Sequence, residues 1–176
     1  MLQKLLIGLV GVVGVLAGVV AMQPAQFEVV RKGRVPGSPE KVFGMVNDFR
    51  QWNAWSPWEK LDPAMKRTFS GAASGAGASY GWVGNSDVGE GRMTIEESRP
   101  HEHIRIKLEF IKPFAATNVT EFRFTAVGNE VEVEWRMSGE NNFISKAFCL
   151  VMGGMDKMIG PDFEKGLAQM RAAAGS

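Results

Sequence analysis

Between residues 65 and 138 apolar and polar positions alternate, and the alternation predicts strands at 65–70, 78–84, 91–98, 103–110, 118–126 and 130–138. Turn formers separate them: the glycine-rich stretch 71–77, Gly84-Asn85, Arg99-Pro100, Lys112-Pro113 and Gly128-Asn129. Connections this short join antiparallel neighbours, so the pattern reads as a meander. Glycine comes first in Gly128-Asn129, which predicts a hairpin turn with φ > 0 at its first central residue. Ile104, Ile106, Leu108 and Phe110 share one parity, as do Val131, Val133, Trp135 and Met137. His103, Arg105, Lys107, Glu109, Glu132, Glu134 and Arg136 take the other. One face of the sheet is therefore wet, and the other needs a cover.

Upstream, 27–35 reads as a first strand. Ser38-Pro39-Glu40 then supplies a capping hydroxyl, a proline at the first helical position and an acid in the first turn. The short helix begun there carries Val42, Phe43 and Val46 on one side, and Asn47-Asp48 ends it and caps a turn over 49–55. Only 143–174 is long enough to cover the sheet. Within it Ile144, Phe148, Val151, Met152, Met155, Ile159, Phe163, Leu167 and Met170 recur at spacings of three and four, predicting one helical stripe laid on the sheet. Gly160-Pro161 interrupts the stripe, and a kink or restart is expected there. The order of elements is α+β.

At 176 residues with 45% hydrophobic content, the chain holds one domain, residues 26–176, behind an appendage of residues 1–25. All 19 acidic residues follow Met22, and so does every basic residue except Lys4, so the domain is formally neutral. That excludes a nucleic-acid footprint, which needs a basic excess on one face. A single cysteine, Cys149, excludes an internal disulfide and a cysteine-based zinc site, and its neighbours Phe148, Leu150 and Val151 mark a buried structural thiol. His101 and His103 fall at a turn and on the outward parity, where solvated roles are expected. No metal and no cofactor is expected.

Residues 5–22 form an uncharged apolar run that as a helix spans about 27 Å, at about 1.5 Å per residue. Such a run enters a membrane, as an uncleaved single-pass anchor or, alternatively, as a secretory signal cleaved near Val19-Val20-Ala21. The short charged start is the layout of an export signal, which places the domain on the outer face. Gly14 and Gly18 are spaced for close approach of two membrane helices, and a weak dimer is one use of them. Residues 24–26 are the linker.

Trp52, Trp55 and Trp58 crowd the segment NDFRQWNAWSPWEK, where Pro57 stops any helix and leaves an irregular corner suited to a pocket mouth. With LDPAMKRTFSG, VGEGRMTIEE and SGENNF following in order, residues 27 to the end resemble the SRPBCC superfamily, START-like, in its polyketide cyclase/dehydrase and lipid-transport branch. The tryptophan corner, the Val88-Gly89-x-Gly91 turn and the Asn141-Asn142 entry to the last helix carry the resemblance. It implies a helix-grip fold: a curved antiparallel sheet of about seven strands wrapped on a long C-terminal helix, with an apolar cavity between them. Pro161 departs from the pattern and puts the straightness of that helix in doubt.

The residues expected to line the cavity are Trp55, Trp58, Arg67, Tyr80, Trp82, Met93, Phe122, Trp135, Phe148, Met152 and Met155. Arg67, on the parity of Met65 and Phe69, could hold a ligand carboxylate or phosphate, or pair with Asp48 or Glu59. Asn118 and Thr120 are further inward polar positions. The glycines of 71–84 open no helix and contain no phosphate-cradling pattern. Because the inward faces offer no acid–base pair, the expected function is a membrane-tethered, non-catalytic binder of an apolar small molecule such as a lipid, fatty acyl or isoprenoid-like chain. A polyketide cyclase-like enzyme, and an envelope protein-interaction module with a closed cavity, are the alternatives.

Overall fold

The computed structural model describes residues 2–175, and side chains from residue 11 onward. An N-terminal helix, α1 (Leu2–Ala21), leads into β1 (Gln26–Pro36), α2 (Pro39–Asn47) and two 3₁₀ turns, Phe49–Ala54 and Pro57–Lys60. The meander follows as β2 (Lys66–Gly71), β3 (Ala78–Val83), β4 (Glu90–Arg99), β5 (His103–Lys112), β6 (Ala116–Val127) and β7 (Glu130–Glu140). The chain closes with α3 (Phe143–Met152) and α4 (Met155–Ala174). All seven strands form one antiparallel sheet in the order β1-β7-β6-β5-β4-β3-β2, so only β1 leaves sequence order, by pairing with β7. The architecture is the α+β helix grip, with α4 crossing the inner face of β1 and β7.

Local chemistry sets the element ends. Ser38 accepts a hydrogen bond from the Lys41 amide and starts α2, and Asp48 accepts from the Arg50 amide and starts the first 3₁₀ turn. At the other end of α2 the tryptophan corner does the capping. The Trp52 and Trp55 indole N–H groups donate to the Val46 and Met45 carbonyls, at 3.0 and 2.9 Å, satisfying acceptors that the helix end leaves without partners. Gly128 has φ of 61°, the positive value its turn requires.

The inner sheet face and α4 share one core: Val29, Val35, Ile104, Ile106, Val131, Val133 and Trp135 meet Phe163, Leu167 and Met170. Gly166 is a point of close approach, since a Cβ there would lie 2.7 Å from the Trp135 ring and 3.2 Å from Pro57. Arg31 fixes the amino-terminal half of α4 to β1 by pairing with Asp156 and with Glu164, both at 2.7 Å. On the outer face, cross-strand pairs such as Lys32–Glu134 at 2.9 Å and Arg92–Glu109 at 2.8 Å are exposed and contribute little each.

Four sequence expectations are corrected. The C-terminal stretch breaks at Gly153-Gly154, not at Gly160-Pro161. Gly153 caps α3 in the left-handed region and Gly154 also has positive φ, whereas Pro161 lies inside a continuous α4. The break takes α3 off the sheet. Ile144, Phe148, Val151 and Met152 are exposed, no residue of α3 is buried, and the stripe on the sheet begins at Met155. Cys149 is accordingly only half-buried.

His103 points outward but is buried, at 6% exposure. Its ring lies between Arg99, 3.2 Å from Nδ1, and Glu121, 3.1 Å from Nε2, and these long side chains roof it. His101 is exposed at a positive-φ turn, as its position implies. Among residues with described side chains, no helix is long and apolar enough to cross a membrane. The run expected to do so starts at Leu5, and its portion before residue 11 lies outside them.

Candidate functional site

Between the sheet and α4 lies a cavity of about 220 Å³. The sheet contributes Tyr80 and Trp82 from β3, Met93 from β4, Leu108 and Phe110 from β5, Thr120 from β6, and Trp135 and Met137 from β7. Trp52, Ser56, Trp58 and Glu59 come from the 3₁₀ corner, Asp87 and Val88 from the β3–β4 loop, and Ile159, Asp162 and Phe163 from α4. The volume falls below the roughly 300–1,000 Å³ of drug-sized sites, so it suits one small ligand and not a two-chain lipid. A shallower groove of about 980 Å³ runs past Ala25, Glu28, Thr117, Ser138, Glu140 and Asn142. It is the larger space, but it is more open and more polar in its lining, so the smaller, aromatic-walled cavity is the better ligand site.

Aromatic packing makes the wall rigid. Trp135 stacks on Phe163 with ring centroids 4.1 Å apart and planes 8° from parallel, and on Phe122 at 4.9 Å. Trp55 and Trp58 meet it edge-on at 5.5 and 5.8 Å. At the mouth the Trp82 N–H donates to the Val88 carbonyl at 2.9 Å, and Asp62 accepts from the Asn85 amide at 2.8 Å, tying the β3–β4 loop to the corner. The Trp135 N–H is buried without a hydrogen-bond partner.

Of the three acids bordering the cavity, Glu59, Asp87 and Asp162, only Glu59 is buried, at 7% exposure. The Tyr80 hydroxyl donates to its Oε1 at 2.5 Å, and Arg67 Nε donates to its Oε2 at 2.7 Å. Arg67 also donates to the Glu59 and Met65 carbonyls, both at 3.0 Å. Burial first, and the carboxylate beside it second, push the Tyr80 phenol well above its ordinary value. The sign follows: a raised folded value stabilises the fold below about pH 10 and is lost as pH rises through that value. Tyr80 is the only tyrosine of the chain, so near-ultraviolet phenolate absorbance reports it alone. That absorbance should stay absent as pH passes about 10 and appear together with unfolding.

Of the expected lining residues, Trp58, Tyr80, Trp82, Met93 and Trp135 border the cavity. Trp55 and Phe122 are fully buried behind it. Arg67 sits one step back, engaged by Glu59 as its alternative reading held, while Met155 packs at the edge of the core. Phe148 and Met152 lie on α3 away from the cavity, with the Phe148 ring against Phe114 at 6.2 Å. Glu59, expected only as a possible partner of Arg67, is also an acid on the cavity wall, which strand parity does not show because it rises from the corner and not from a strand. Its signal was Pro57-Trp58-Glu59 together with Arg67 on an apolar parity. Among the described residues no cluster of potential metal ligands occurs.

A seven-stranded antiparallel sheet packed on a C-terminal helix around a small aromatic-walled cavity defines the helix-grip fold. Residues 26–175 match the family model described as polyketide cyclase / dehydrase and lipid transport. The chain belongs to that family. No curated protein matches it. Among solved structures it is similar to a protein of unknown function from Staphylococcus aureus, with TM-score 0.65 and 13% identity, covering 88% of this chain and 96% of that one. A Chromobacterium violaceum protein gives TM-score 0.59 at 13% identity, over 87% and 99% of the two chains. The di-domain ARO/CYC StfQ of the steffimycin biosynthetic pathway gives 0.63 at 10% identity, over 86% of this chain and 51% of that one. At these identities the likeness is one of fold.

Proposed function

We propose that the protein is a membrane-tethered binder of a small apolar molecule held between the sheet and α4. The observation that carries the reading is the cavity: apolar, walled by rigid aromatics, and with few polar groups placed in it. The tether is α1, whose residues 12, 13, 15, 16 and 19 expose valine and leucine side chains to the surroundings. Its end adjoins α3, with Lys146 Nζ 3.3 Å from the Ala21 carbonyl, and the exposed Phe143, Ile144, Phe148, Val151 and Met152 would then lie at the bilayer surface. The outer face is the proposed side for the domain, and Gly14 and Gly18, with open space around them, would allow a weak helix pair.

A cyclase-like enzyme is the second reading, favoured by Glu59 and Tyr80 at the cavity wall. Both groups are engaged with each other and Arg67, which fits a recognition role better than proton transfer. The test compares the full chain with Met93→Trp, in which an indole replaces a wall side chain and fills the void. A naphthalene-sized fluorescent probe should bind the wild type saturably and the variant not at all, with no turnover of acyl or polyketide-like substrates. Turnover abolished by Tyr80→Phe would favour the enzyme. Full-length protein should also stay in the membrane pellet after alkaline carbonate washing, and release by the wash would remove the tether from the account.

A further inference from the structure

The cavity wall also carries information about the polar end of its ligand. A carboxylate offers about four lone-pair sites. Tyr80 fills one on Oε1 of Glu59 and Arg67 fills one on Oε2, so roughly two remain for a donor arriving from the cavity. The Ser56 hydroxyl, on a residue only 3% exposed, makes no capping bond and borders the same space, as does buried Thr120. The charges of Glu59 and Arg67 cancel. A ligand carboxylate would face Glu59, with Asp87 and Asp162 also on the wall, and an ammonium seated at the buried Glu59 would stand beside the Arg67 guanidinium. A neutral hydroxyl has neither cost.

We infer that the site takes an apolar molecule ending in a neutral hydroxyl, an alcohol or a phenol, and that Glu59 accepts its hydrogen bond. Tyr80 and Arg67 are positioning residues that hold the carboxylate open to the cavity. The arrangement reverses the simplest reading of Arg67 as an anion clamp, because the arginine is already occupied. This inference rests on the reading of the cavity as a ligand site, and the two can fail separately.

The test uses full-length protein in lipid nanodiscs with methyl-labelled methionines, reading the cavity methyls of Met93 and Met137. The probes share one scaffold: 4-ethylphenol, its methyl ether 4-ethylanisole, and 4-ethylbenzoate. The phenol should bind about tenfold or more tightly than the ether or the benzoate, since a hydrogen bond to a charged acceptor is worth at least that factor. Glu59→Gln should collapse the phenol-over-ether preference to about threefold or less, whereas Tyr80→Phe, which frees a further lone pair, should keep it. Equal binding of phenol and ether by the wild type would overturn the inference while leaving the cavity a ligand site. So would a preference that survives in Glu59→Gln or vanishes in Tyr80→Phe. If no probe moves either methyl, the ligand-site reading fails and the inference with it.

Discussion

Trp135→Ala should destabilise the protein by about 3–5 kcal/mol, the range for truncating a buried tryptophan or phenylalanine. The side chain is 1% exposed and sits between Phe122 and Phe163, with Trp55 and Trp58 against its edges. Its removal would leave four aromatic neighbours without a common contact, at the line where α4 crosses the sheet. Collapse can recover only part of the loss, because four packed aromatic rings would have to shift together to fill the space. Trp135→Phe should cost far less, about 1 kcal/mol, since it keeps the stack and removes an indole N–H that has no partner. Equilibrium urea denaturation of the full chain in mild detergent measures both. A domain of ordinary stability, about 5–15 kcal/mol, survives the second change and is brought near its limit by the first.

Glu59→Leu should destabilise by about 2 kcal/mol, below the 3–5 typical of a broken buried ion pair because Arg67 is 27% exposed and water offsets part of its loss. The same change strands the Tyr80 hydroxyl in an apolar wall. Adding Arg67→Met should recover most of the loss, since an apolar pair in place of a buried ion pair is often neutral. The double variant is the useful one: a fold near wild-type stability whose cavity has lost its carboxylate. If the single change costs as little as a surface substitution, Glu59 is not held as described.

What could be read from the chain follows from which interactions are periodic. Alternation of Val131, Val133, Trp135 and Met137 against Glu132, Glu134 and Arg136 requires only that one sheet face be dry, so strands, register parity and the four strand-borne cavity residues were legible. Ser38 and Asp48 were legible because capping is local chemistry. The break in the C-terminal stretch was misplaced because Pro161 is the louder breaker in isolation. In the fold the paired glycines 153 and 154 turn the chain, and α4 holds its course through the proline while clamped to Arg31. With that break unrecognised, Phe148 and Met152 were assigned to a cavity they never reach. Glu59 was legible only as a possible partner of Arg67, while its place on the cavity wall and the roof over His103 were not, for another reason. A 3₁₀ corner has no period that tells inside from outside, and the burial of an outward histidine depends on arginine and glutamate side chains two strands wide.

The most direct test of the cavity as a ligand site is native mass spectrometry of full-length protein released gently from its own membranes, beside the Met93→Trp variant prepared identically. The account predicts that the wild type carries one small apolar molecule with a hydroxyl group and that the folded variant carries none. An adduct equally abundant on both proteins, or a wild type that leaves its membrane empty, would contradict it.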